Sequence, residues 1–288
     1  MNALLTPHPW RRYVAIGDSF TEGIGDPQPL DDHPEYHRGW ADRVAEELAR
    51  TVPADQDFSY ANLAIRGRLL GQIRDEQVEP ALALQPDLIS ICAGGNDVLR
   101  PSGDPDVIAT ELDAVVERLT GSGATVVVFN GPDIRDTPVM GRIRGKVAIY
   151  NENVRAVAAR HDAVVADMWA LRELTRPEMW AEDRLHFSAT GHHTIASMVL
   201  DTLNVPHQLS PLEPKPPVER TWRQARTADA IWAKDHLLPW VLRRLRGQSS
   251  GDHTTAKRPT AAPMFGAPMP QGSDPHEEPS DDHGESAR

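Results

Sequence analysis

Residues 12–22 read RYVAIGDSFTE, and this stretch decides the fold. Residues 13–17 form a short apolar run closed by glycine, which predicts a strand buried on both faces. Gly17, Asp18 and Ser19 then make a tight turn into the next segment. Four similar apolar runs follow, at 58–63, 88–93, 125–130 and 163–167. Between them, residues 40–51, 69–84, 105–119 and 145–160 carry apolar side chains at helical spacing and have the length of crossover helices. A last helix over 189–203 follows Ser188, whose hydroxyl suits an N-cap. Strands alternating with helices in this way predict an α/β chain of repeated βα units around a parallel, doubly wound sheet of five strands.

Proline use divides the chain. Residues 1–205 hold 13 of the 25 prolines and the remaining 83 residues hold 12. The first 205 residues therefore read as one domain, followed by a Pro-rich linker over 206–217. Residues 218–246 again carry helical periodicity, with Trp222, Ile231, Trp232, Leu238 and Leu242 on the apolar positions and a cluster of arginines between them. Residues 247–288 are poor in apolar side chains and rich in Pro, Ser, Asp and Glu, the composition of a disordered tail. The helical segment is expected to dock its apolar stripe on the domain, because Trp222, Trp232 and Trp240, if exposed, would form an unusually large apolar patch. Contact with an anionic membrane surface or a protein partner is the alternative.

The remaining bounds are coarse. A formal charge of −12 argues against nucleic-acid binding. The single cysteine, Cys92, permits no intrachain disulfide and no thiolate cluster, which suits a reducing compartment. No window is apolar enough for a membrane span and residues 1–13 lack a signal-peptide core, so the cytoplasm is the expected location.

In a doubly wound sheet, ligands bind outside the carboxyl ends of the strands. Small and hydrogen-bonding residues collect there. Gly17-Asp18-Ser19 follows the first strand, residues 62–67 (NLAIRG) the second and residues 94–97 (GGND) the third, while residues 183–186 (DRLH) precede the last helix. A serine at a tight turn can attack an acyl carbonyl if a base takes its proton. His186 is the candidate base, since imidazole changes protonation near neutral pH. Asp183, three residues earlier, can hold the other ring nitrogen and stabilise the imidazolium. Asp167 competes for that role. The N–H groups of Ser19 and Gly67 and the amide of Asn96 are candidate donors to an oxyanion.

These four blocks resemble the SGNH (GDSL) hydrolase family: GDSFTEG at 17–23, the Gly of NLAIRG at 67, GGND at 94–97 and DRLH at 183–186. The resemblance covers about residues 12–203. It implies a flavodoxin-like three-layer α/β/α sandwich, with a C-terminal helical extension and tail outside it. It also implies hydrolysis of ester or thioester bonds in small-molecule substrates through Ser19, Asp183 and His186, with an oxyanion hole of Ser19, Gly67 and Asn96 and no metal or cofactor. The elbow G-x-S-x-G of the α/β-hydrolases is absent, because Thr21 takes its second Gly position. A non-catalytic acyl- or glycan-binding module and an acyltransferase are the alternative functions.

The simpler roles are as follows. Ser19 alone is compatible with a helix N-cap. Asp18 and Asp97 suit turn-holding, Cys92 suits a small buried hydrophobe, and His192 and His193 have no metal-ligand spacing. The segment between GGND and the last helix holds no long apolar lid, so a short, shallow site for acetyl or butyryl groups is expected.

Overall fold

The protein is described here from a computed structural model, which covers residues 8–30, 34–53, 55–137, 140–212, 222–238 and 251–265. Five parallel strands form where the apolar runs predict them: β1 (Arg12–Gly17), β2 (Ser59–Asn62), β3 (Leu88–Cys92), β4 (Thr125–Phe129) and β5 (Val164–Ala166). Their order in the sheet is β5-β4-β3-β1-β2, with β1 between β3 and β2. The chain thus winds outward first one way and then the other, and the switch point falls between β1 and β3. Registers such as Ala15 with Asn62 and Gly17 with Cys92 bring the ends of β1, β2 and β3 to one rim.

Alternation along each strand fills two layers. Val14 and Ile16 face one side, where they pack with Ile89, Val126 and Val128 under helices α6 (Pro105–Thr120) and α7 (Arg144–Arg160). Tyr13 and Ala15 face the other side, where Trp40, Val44 and Leu48 of α2 (Gly39–Thr51) meet Ile195 and Val199 of α8 (Ala189–Thr202). The result is the three-layer sandwich that the family resemblance implies. Helix α1 (Ser19–Glu22) is a single turn after β1, and α5 (Gly95–Val98) is its counterpart after β3. Ser188 caps α8 as expected, accepting from the Gly191 N–H.

The crossover over 69–84 is not one regular helix. α3 (Leu70–Ile73) and α4 (Glu79–Ala83) are joined by a wide π-helical turn over Arg74–Val78. That turn presents Gln77, buried, to the end of β1, where its carboxamide accepts from Gly17 N at 2.8 Å and donates to Gly17 O at 2.9 Å.

The expected five-stranded sheet and disordered tail need correction. A sixth strand, β6 (Arg258–Pro263), lies inside the 247–288 stretch and pairs antiparallel with β2, Ser59 opposite Pro263 and Asn62 opposite Arg258. Its prolines misled the reading. At a sheet edge a proline removes no needed ladder bond on its solvent side, and the segment is held by charge and hydrogen bonds as well as by apolar surface. Residues 266–288 fall outside the described residues, as do 213–217 of the expected linker, 218–221 and 239–246 of the expected helical segment, and 247–250. Helix α9 (Trp222–Trp232) continues through a π-helical turn over Ala233–Leu237. No helix among the described residues is long and apolar enough to cross a membrane.

Candidate active site

The turn after β1 sets the position of Ser19. Asp18, not Ser19, is the N-cap of α1: its Oδ1 accepts from Phe20 N at 3.1 Å. The Ser19 hydroxyl is therefore released from backbone duty, and His186 Nε2 lies 3.0 Å from its Oγ. The other ring nitrogen, Nδ1, is 2.6 Å from Asp183 Oδ2. Asp183 Oδ1 accepts from the N–H groups of Leu185 and His186, at 2.9 and 3.0 Å. One carboxylate thus shapes the turn and orients the ring within it. Burial alone would push the Asp183 carboxyl up, but the hydrogen bond and charge of His186 and the two N–H donors bring it down to about 2. It is therefore ionised near neutral pH.

The three candidate oxyanion donors line the same cavity as Ser19 and His186. Gly67 takes a left-handed conformation (φ +75°), which turns the chain after β2 toward that cavity. Among the described residues, the N–H groups of Ser19 and Gly67 have no protein acceptor. Asn96 is held differently. Its amide donates to Asp18 Oδ2 at 3.0 Å and to Arg68 O at 3.1 Å. An incoming oxygen must share or take one of those protons.

Asp18 is buried, and burial raises its carboxyl to about 6 against the Phe20 hydrogen bond and the charge of His186. Its role in the turn is as expected. So is that of Asp97, whose Oδ2 accepts from Leu70 N at 3.0 Å. Asp167 is not brought to His186; it accepts from Asn130 Nδ2 and pairs with Arg155. His192 Nε2 bonds to Ile24 O and His193 Nε2 to Ser210 O, so each ring is used by the backbone. No group of potential metal ligands occurs among the described residues. Cys92 is half-buried and lines the cavity, with its thiol pushed up by burial. His37 and Arg38 open α2 on the far side of α1, where Gly23 and Gly39 touch so closely that neither has room for a Cβ.

The cavity itself bears on the short, shallow site expected. It has a volume of about 390 Å³, and beyond the polar rim its walls are apolar, from Val98, Leu99, Phe129, Ile134, Ile143 and Val147. Two of these, Ile134 and Ile143, come from the chain between β4 and α7, within the stretch read above as holding no long apolar lid.

A family profile described as the GDSL-like lipase/acylhydrolase family matches residues 15–194, from within β1 into α8, and includes Ser19, Gly67, Asn96, Asp183 and His186. The chain belongs to this family. It is, accordingly, an ester hydrolase. Among curated protein sequences there is no match. Among solved structures, this GDSL-family chain is similar to Axe2, an acetylxylan esterase from Geobacillus stearothermophilus, at 20% identity and a TM-score of 0.55, over 68% of this chain and 95% of that one. It is similar to TesA at 20% identity and a TM-score of 0.54, over 67% and 98%. The lipase/acylhydrolase from Enterococcus faecalis shares 19% identity at a TM-score of 0.54, over 72% and 100%. At such identities the likeness is one of fold. The C-terminal segment beyond α8 lies outside the matched family region.

Several residues that build this GDSL-family site carry no local signal in the sequence. Gln77 ties off β1 from a helix sixty residues later. Glu22, buried, accepts from the N–H and guanidinium of Arg66, and so fixes the approach to Gly67. Tyr150 OH donates to Ala93 O beneath the GGND turn, where Gly94 leaves room for its ring.

Proposed function

We propose that this ester hydrolase works through Ser19 as nucleophile, with an acyl-enzyme intermediate. The Ser19 Oγ attacks the acyl carbonyl while His186 Nε2 takes its proton, and Asp183 stabilises the imidazolium that forms. The oxygen of the tetrahedral intermediate is held by Ser19 N–H, Gly67 N–H and the Asn96 amide. His186 then returns its proton to the leaving group, and water repeats the sequence to release the acid. The observation that carries this reading is the continuous chain from Asp183 Oδ2 through the imidazole to Ser19 Oγ, with contacts of 2.6 and 3.0 Å at the rim of an apolar cavity.

The cavity supports a longer acyl group than the acetyl or butyryl expected. Its volume of about 390 Å³ far exceeds what an acetyl group fills, given roughly 30 Å³ for each water-sized group. Medium-length chains, hexanoyl to decanoyl, suit its apolar walls better than acetyl or butyryl. Turnover of a p-nitrophenyl ester series from acetyl to palmitoyl tests both points. The highest kcat/KM is expected in the medium range, and Ser19→Ala, His186→Ala and their combination should each lose nearly all activity, the double variant little more than either single one. Substantial turnover by Ser19→Ala would sink the mechanism, and a clear preference for acetyl would sink the chain-length reading.

A further inference from the structure

Helix α9 meets the site at Trp232. The indole Nε1 of Trp232 donates to the backbone oxygen of Asp183 at 2.9 Å. Arg184, the next residue, pairs with Asp229 of α9 at 2.8 Å and sets its guanidinium 4.9 Å above the Trp232 ring. Trp232 and, three residues further on, Asp235 line the cavity beside His186. Ile231 and Leu238, by contrast, stay exposed, so the segment does not lay a whole apolar stripe on the domain. Among the described residues, Trp232 and Asp229 contact the loop that carries Asp183 and His186.

The loop needs such support. Arg184 has φ +55°, in the left-handed region that residues with side chains rarely adopt. The Asp183 oxygen belongs to the peptide group between Asp183 and Arg184, whose N–H bonds to Ala181 O, so the Trp232 bond holds the other end of the peptide that leads into this conformation. Rotation of that peptide would relieve Arg184 and swing the Asp183 carboxylate off His186 Nδ1. Within the loop, Ala181 N bonds to His186 O and Arg184 N to Ala181 O, but nothing inside it holds the Asp183 oxygen.

We propose that Trp232 is a positioning residue for the reaction: by holding the Asp183–Arg184 peptide, its indole N–H keeps the Asp183 carboxylate aimed at His186. The C-terminal helix, outside the matched family region, thereby becomes part of the catalytic apparatus and supplies one wall of the substrate cavity. This rests on the reading of Ser19, His186 and Asp183 given above, and the test separates the two.

The decisive variant is Trp232→Phe in the full-length protein, which keeps an aromatic wall and a face for Arg184 but removes the donor. Its kcat on a p-nitrophenyl ester should fall about tenfold, with KM within about twofold and the melting temperature unchanged, as expected for misplacement of a catalytic group. Trp232→Ala should also raise KM, because the wall is lost. In an Asp183→Ala background, Trp232→Phe should cost nothing further, since its effect runs through the missing carboxylate. Wild-type kcat in Trp232→Phe, or an equal loss with and without Asp183, overturns the proposal. Activity retained by Ser19→Ala would instead overturn the mechanism on which it rests.

Discussion

Lys257 Nζ lies 3.0 Å from Oδ1 of Asp42, a carboxylate with no exposed surface at all. The ammonium also donates to His37 O and Arg38 O, both at 2.9 Å, at the start of α2. Asp42 accepts in turn from the hydroxyls of Tyr36 and Tyr60, and Asn62 bridges Tyr60 OH to Thr21 O, two residues beyond Ser19. A residue in a stretch whose composition suggests disorder thus provides the cation for a buried network under the nucleophile turn.

Removing that cation leaves an uncompensated buried charge, which typically costs about 3 to 5 kcal/mol. Lys257→Met should therefore lower stability in urea unfolding by about that amount, and adding Asp42→Asn should recover part of it. Truncation at residue 247, harmless if the tail were disordered, should instead destabilise the protein. A change of under about 1 kcal/mol in Lys257→Met would show that the pair contributes little.

Two buried groups near the site titrate in the same range with opposite effect on stability. Burial lowers the pKa of His192, so the unfolded chain takes up the proton first and stability is lost as pH falls below about 6.5. Burial raises Asp18 to about 6, so the stability its neutral form contributes is lost as pH rises from about 4 toward 6. His192→Gln keeps a donor toward Ile24 O and removes only the first effect. Relative to wild type, its melting temperature should rise steadily as pH is lowered from about 6.5 to about 5. A difference independent of pH would mean that His192 is not held neutral.

Asn96→Ala should reduce kcat by about 10² or more with little change in KM, as for a donor used mainly in the transition state. Because the same amide holds Asp18 Oδ2 and Arg68 O, thermal melting must be read beside the kinetics. If KM alone changes, Asn96 binds substrate and does not stabilise the oxyanion.

The parts of this molecule that were legible in sequence are those whose signal is local. The apolar runs of β1 to β5 announce buried strands, GDS and GGND announce turns at strand ends, and the three-residue spacing of Asp183 and His186 lets one turn bring them together. What could not be read depends on distant pairs. β6 lacks the apolar pattern of a strand because an edge position and the Lys257–Asp42 pair hold it. The cavity walls near Ile134 and Ile143, the Gln77 clamp on Gly17 and the Trp232 bond to Asp183 each require knowing which segments fold against each other.

The central claim is that Ser19 is the nucleophile activated by His186, and trapping it covalently is the most direct test. A fluorophosphonate should add once to the native protein, with the adduct mapped by mass spectrometry to Ser19. His186→Ala should label far more slowly, and Ser19→Ala not at all. An adduct on any other residue, or undiminished labelling of Ser19→Ala, would contradict the account.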